Sequence, residues 1–242
     1  VTEILRDWRL DVDVDIVLRG QGADPAAIRA RQPRLVQMAE RALSEGLALI
    51  EPVVVSRELP VVSLRHEQLT LAGGAQLTGA LIAQHLAAAE RVALIVCTIG
   101  EALERRVAHT MRDEPAYALA LDGFGSAAAE ALGVAACTRV EQQAARGGWR
   151  TSLPLSPGMV GWPVDVGQWQ IFSLVDAASI GVTLNESAQM LPRKSLSIAL
   201  GIGRTPFSAG RVCDFCALRE TCRYQDHYAP VSGAASGSAS PR

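Results

Sequence analysis

The stretch from about Ala116 to about Arg146 reads as one long Ala-rich helix, ended by Gly147 and Gly148. It restricts the possible folds more than any other part of the chain. Gly123, Gly125 and Gly133 lie inside it, and each weakens an isolated helix by about 1 kcal/mol relative to Ala. Such a helix makes sense if its small residues admit a close backbone approach. The neighbour is either another element or a ligand, and the sequence leaves both open.

Around this helix the pattern alternates between strand and helix. Val92 to Thr98 is short, β-branched and continuous, as in a buried strand. Leu196, Ile198, Leu200 and Ile202 alternate with Ser195, Ser197, Ala199 and Gly201, the period of a half-buried strand with a small-residue outer face. Glu51 to Leu71 holds Val-rich runs that Pro52 and Pro60 break into short extended segments, and Trp149 to Leu155 suggests another strand. Asp24-Pro25 is a helix start, because Asp caps and Pro suits the first helical position. Pro33 interrupts, and the next helix buries Leu35, Met38, Ala42 and Leu43 and stops at Gly46. After Gly73-Gly74 a helical pattern carries Leu77, Leu81 and His85; after Gly100 another carries Leu103, Val107 and Met111. An irregular loop from Ser156 to Pro163 precedes a short helix with Ile171, Phe172 and Val175.

Bulk properties narrow the function classes. Apolar residues make up 49% of the 242 and charged residues 20%, as in an ordinary globular protein, and the net charge is −2. Basic residues are dispersed, so nucleic acid is not an expected partner. Val92 to Ile99, the most apolar run, is too short to cross a bilayer, and Val1 to Arg9 has no secretory character; no membrane role and a cytoplasmic location are expected. Five cysteines, three of them crowded near the end, argue for metal or redox chemistry rather than a disulfide scaffold. Cys97 and Cys137 read as core thiols, Trp162 and Trp169 as packing anchors, and His66, His85 and His109 lack metal spacing.

Several short motifs follow one another in order. Glu130, Arg139 and Val140 fit A-E-x(8)-R-V on the long helix; Ser156, Pro157 and Gly158 form a loop; Leu184, Asn185, Glu186, Ser187, Met190 and Pro192 lead into Ser195 and Ser197. This series resembles the activation domain of cobalamin-dependent methionine synthase, whose pattern is an R-x-[AS]-P-G-Y loop, then L-T-E-S-x-x-M-x-P, then a Ser-rich strand. The resemblance covers roughly Val92 to Gly203 well and the first third weakly. It implies an α+β fold, a twisted and mainly antiparallel sheet flanked by helices. It also implies binding of S-adenosylmethionine and presentation of its methyl group to cobalamin on a partner protein, with a low-potential electron donor in the same system. Glu130 would meet the ligand's cationic end, and Pro157 and Gly158 would lie against it; Glu186 and Ser187 match the second motif.

Two positions depart from the pattern. Pro154 stands where the family has Arg and Met159 where it has Tyr, so Arg150 is the candidate to replace the missing cation. No D-x-H-x-x-G cobalamin-ligating signature occurs, so the chain is expected to act in trans on a corrinoid methyltransferase. Cys213, Cys216 and Cys222 with His227 suit a [4Fe–4S] cluster or a Cys3His zinc site. The organisation expected is an N-terminal helical and extended region (1–90) of the same domain, an activation-domain-like core (91–205), a metal-binding segment (206–228) and a disordered tail (229–242). Two alternatives stay open: a corrinoid-protein-binding module without a methyl donor, and an iron–sulfur electron-transfer partner.

Overall fold

A computed structural model describes residues 2–216 and 219–220. Its centre is a seven-stranded antiparallel sheet, ordered β4 (Gln76–Thr78), β3 (Gln68–Leu71), β2 (Val53–Arg65), β5 (Arg91–Thr98), β9 (Ser195–Gly203) and β6 (Arg150–Thr151), with β1 (Thr2–Leu5) joined to β2. A separate hairpin pairs β7 (Thr183–Leu184) with β8 (Met190–Leu191). The fold is α+β, as expected, and the sheet curls because β2 changes partner along its length. Val53 to Pro60 pairs with β5, whereas Val61 to Arg65 pairs with β3 after an irregular step between Val61 and Ser63. Pro60 therefore does not split the segment into short strands; it falls where the partner changes, and β2 runs through it.

One face of the sheet carries α1 (Val14–Gly20), α3 (Pro33–Leu49), α5 (Ala102–Thr110) and α6 (Pro115–Arg146), packed on Val54, Ile95, Cys97 and Ile198. Asp24 caps α2 (Pro25–Arg31) as anticipated, its carboxylate accepting from the Ala26 N–H at 3.0 Å. Gly46 does not end α3. It lies beneath Phe124 of α6, where a Cβ would come within 2.2 Å of the ring, so glycine serves close packing rather than termination. By length and composition α6 could cross a bilayer, but 61% of its most apolar stretch is buried inside the protein, as in a core helix.

The opposite face carries α4 (Ala80–Leu86), α7 (Val164–Phe172) and the irregular chain between β6 and β7, packed on Val53, Val55, Val92, Leu94 and Ala199. The segment after Gly73-Gly74 turns first into β4 and only then into α4; Leu77, Leu81 and His85 are all buried. β9 is not half-buried. Its small-residue face is covered, since Cβ atoms at Gly201 and Gly203 would meet Leu86 at 2.8 Å and the Ala88 carbonyl oxygen at 2.2 Å. Small side chains there let the end of α4 lie directly on the strand.

Candidate functional site

β9 has a short, incomplete edge. The chain from Arg150 to Leu155 runs beside Gly203 to Ala199 and then leaves, so nothing in the described sheet pairs with the outer edge of Ser195 to Ile198. Elements that carry or adjoin two sequence motifs pack on this stretch from opposite faces. On the α6 face, a Cβ at Gly133 would lie 2.8 Å from Leu196 Cδ1 and 3.4 Å from Ile198 Cδ1. Glu130, half-buried and engaged with other groups, stands one turn earlier on the same helix side. One turn before it, the Lys194 ammonium bonds Ser126 Oγ at 2.9 Å and pairs with Asp122 at 2.8 Å, tying the start of β9 to α6.

On the other face, the buried Ser197 hydroxyl donates to Gln168 Oε1 of α7 at 2.9 Å. The neighbouring Gly167 is where Pro157 packs, since a Cβ there would lie 2.9 Å from the proline ring. Gly158 has φ +100° and a built Cβ 2.9 Å from Val164 Cγ2, so this turn requires glycine. Its N–H donates to Trp162 O at 2.8 Å, and the fully buried Trp162 indole donates to Gln170 Oε1 at 3.1 Å. Trp162 is the packing anchor expected; Trp169 is not, being 50% exposed beside exposed Val160, Val164 and Val166.

Met159 turns away from solvent into the core of this face, 8% exposed, and bridges to Cys216. The Val160 N–H donates to Phe215 O at 2.9 Å, so the segment bearing Cys213 and Cys216 lies directly on the loop. Both thiols are free and half-buried, on one turn closed by a Cys216 N–H to Cys213 O bond of 3.3 Å. Phe215, between them, meets the His85 ring edge-on at a centroid distance of 4.4 Å. His85 is buried with both ring nitrogens unpartnered among the described residues, and burial lowers its pKa by disfavouring the charged ring. Cys222 and His227 lie outside the described residues, and no cluster of three potential metal ligands occurs among the described ones. Cys97 and Cys137 are core thiols, each pushed up to about 12 chiefly by burial.

The structure does not join every motif residue. Glu186 and Ser187 are exposed on the β7–β8 hairpin, where Asn185 Oδ1 accepts from the Ser187 and Gln189 N–H groups at 3.0 and 2.9 Å. These bonds stay within the turn and reach neither Glu130 nor Gly158. Arg150 is exposed on β6, opposite Gly203, and lines a hollow of about 480 Å³ with Glu141, Thr151, Leu153 and Phe207. A second hollow, about 350 Å³, lies under β1 and Trp8 beside Arg139. Neither includes Glu130, Gly158 or Ser187.

The sequence matches no family model and no curated protein. Among solved structures, a crystal structure of the MetH reactivation domain bound to AdoHcy superposes with a TM-score of 0.62, covering 89% of this chain and 83% of that one at 13% identity. The chain shares the reactivation-domain fold. Within that fold, sequence reasoning missed the Gln168–Ser197 bond, the Met159–Cys216 contact and the crowding that raises the Glu141 carboxyl's pKa. Gln168 carried a faint signal as part of a Gln-bearing helix; the other two arise only from tertiary neighbours.

Proposed function

We propose that the chain binds S-adenosylmethionine at the free edge of β9 and presents its methyl group to cobalamin carried by a partner methyltransferase, reactivating that enzyme in the cytoplasm. One observation carries this reading. α6, which carries Glu130, and α7, against which Pro157 packs, flank the same Ser195–Ile198 stretch in a fold shared with an AdoHcy-bound reactivation domain.

The sulfonium supplies a methyl group and a neutral thioether leaving group, and the partner's reduced cobalt accepts the methyl. The protein's own task is placement, so no general base is required. Glu130 offers a carboxylate to the ligand's cationic end, and Gly158 lets the backbone approach the ligand without a side chain between them. Arg150, opposite Gly203 and in a hollow apart from Glu130 and Gly158, stands outside this arrangement, while Glu186 and Ser187 present a polar rim on the hairpin. Cys213 and Cys216, free and on one turn, suit a shared metal, with Cys222 and His227 completing a zinc or [4Fe–4S] site. A cluster there would receive the electron from a low-potential donor.

The inward turn of Met159 favours a second reading, a corrinoid-protein-binding module or electron-transfer partner without the methyl donor. Calorimetric titration with S-adenosylhomocysteine separates the two. We expect saturable heat, weakened at least tenfold by Glu130→Gln. No heat at millimolar ligand leaves the second reading.

A further inference from the structure

The chain beyond β9 lies across α4 and the motif loop, and its two parts are held differently. Phe207 is an anchor, its ring 3.1 and 3.3 Å from where Cβ atoms of Gly201 and Gly203 would stand. Residues 208–211 are exposed and belong to no helix or strand. Val212–Phe215 then forms a single 3-10 turn that bonds within itself, Arg211 N–H to Asp214 Oδ2 and Asp214 N–H to Arg211 O, both 2.9 Å. Those bonds stay with the turn if it moves. Its tie to the motif loop is the 2.9 Å bond from Val160 N–H to Phe215 O, beside the bridge between Met159 and Cys216.

The surface beneath the turn is ill suited to permanent cover. His85 is only 2% exposed, yet neither Nδ1 nor Nε2 has a partner among the described residues. A neutral imidazole offers one donor and one acceptor, and water satisfies both when it can reach them. Here the Phe215 ring stands edge-on against it instead, with centroids 4.4 Å apart and planes at 74°. The aromatic contact and the packing of Val212 and Phe215 on this face's core favour docking. Two orphaned nitrogens oppose it. Opposing terms of this kind are what allow a segment to open locally while the rest of a protein stays folded. Gly210 supplies a pivot: the Phe215 ring folds back so closely that a Cβ there would lie 3.0 Å from its Cε2.

We propose that residues 211–216 are a strap that swings about residues 208–210, closed in this structure over His85 and the loop at Met159 and Val160, and able to lift while the sheet stays folded. Lifting gives the His85 nitrogens water and releases Met159, which the closed strap holds in the core. The strap stands on its own geometry; that its opening admits the methyl donor to the motif turn rests on the reading above.

The test is hydrogen exchange on the full chain, read at the Val160 and Ala199 amides. Val160 reports the strap; Ala199, which donates to Leu155 O at 2.8 Å, reports the fold. His85→Leu puts an apolar side chain under the turn with no polar atom to orphan, and Phe215→Ala removes the covering ring. We expect His85→Leu to raise Val160 protection at least about fivefold and Phe215→Ala to lower it at least about tenfold, with Ala199 unchanged in both. Iodoacetamide labelling of Cys216, with the buried Cys97 and Cys137 as references, should slow and quicken in the same order. Val160 protection that ignores His85→Leu, or that moves in step with Ala199 in both variants, overturns the inference. Isothermal titration with S-adenosylhomocysteine tests the gating: Phe215→Ala should bind at least about threefold more tightly than the parent, and equal affinity overturns that role. If no form of the protein binds this ligand while exchange behaves as expected, the proposed function falls and the strap stands.

Discussion

The two faces of β9 differ in what they leave open to solvent. On the α6 face, glycine and alanine bring helices within backbone distance: a Cβ at Gly20 would sit 2.3 Å from the Gly123 carbonyl oxygen, and Phe124 fills the space above Gly46. The other face also packs closely, with the end of α4 on Gly201 and Gly203 and a core around Trp162 and Ile171. But it adds buried side-chain bonds, Ser197 to Gln168 and Trp162 to Gln170, and leaves Val160, Val164, Val166 and Trp169 in solvent. One face is a rigid backing with little polar freedom. The other exposes part of its loop and of α7, and the motif turn and the cysteine segment both lie there.

Phe124→Ala should have the largest effect, because the residue is fully buried between helices that cannot close the gap. A loss of about 3–5 kcal/mol is expected from chemical denaturation. A loss below about 1 kcal/mol would show that the α6 face is not the rigid one. Ser197→Ala removes the donor to the buried Gln168 and should cost about 1–2 kcal/mol, while weakening S-adenosylhomocysteine binding through movement of α7. Unchanged ligand affinity would uncouple α7 from the site.

The polar exception on the helical face gives a pH-dependent prediction. Glu45 accepts from the Tyr117 hydroxyl at 2.6 Å and from Arg106, and these bonds, the tyrosine's first, hold its carboxyl below the usual range. A depressed folded pKa contributes stability above the unfolded value and loses it as pH falls through the folded one. Thermal melts from about pH 6 to about pH 3 should therefore fall less steeply for Glu45→Gln than for the parent. Parallel curves would remove Glu45 from the account. Trp169→Ser should have the smallest effect on stability, below about 0.5 kcal/mol, since half of the ring is already in water. Its effect should appear instead in affinity for a corrinoid-bearing partner, measured by biolayer interferometry; a large drop in melting temperature would make it a packing residue after all.

What could be read from the sequence followed from local pattern. The long helix, β5 and the buried face of β9 each carry enough residues at one period to declare themselves, whereas the fold class is what the motif resemblance implies. Gly46 and Pro60 were misread because each normally ends an element, whereas here Phe124 and the change of partner strand explain them. The motif residues split for a similar reason. The helix carrying Glu130 and the helix supporting Pro157 pack on one strand from two faces, but Glu186 and Ser187 share only order along the chain, and nothing local reveals that Arg150 and Glu141 line one hollow.

The central claim is that two distant segments serve one ligand across the free edge of β9. Backbone amide shifts of the labelled protein, recorded during titration with S-adenosylhomocysteine, address it in one experiment. The account requires shifts around Glu130, at Gly158 and along Ser195 to Ile198 that saturate together with a single dissociation constant. Shifts confined to one face, or spread over residues remote from β9, would contradict it.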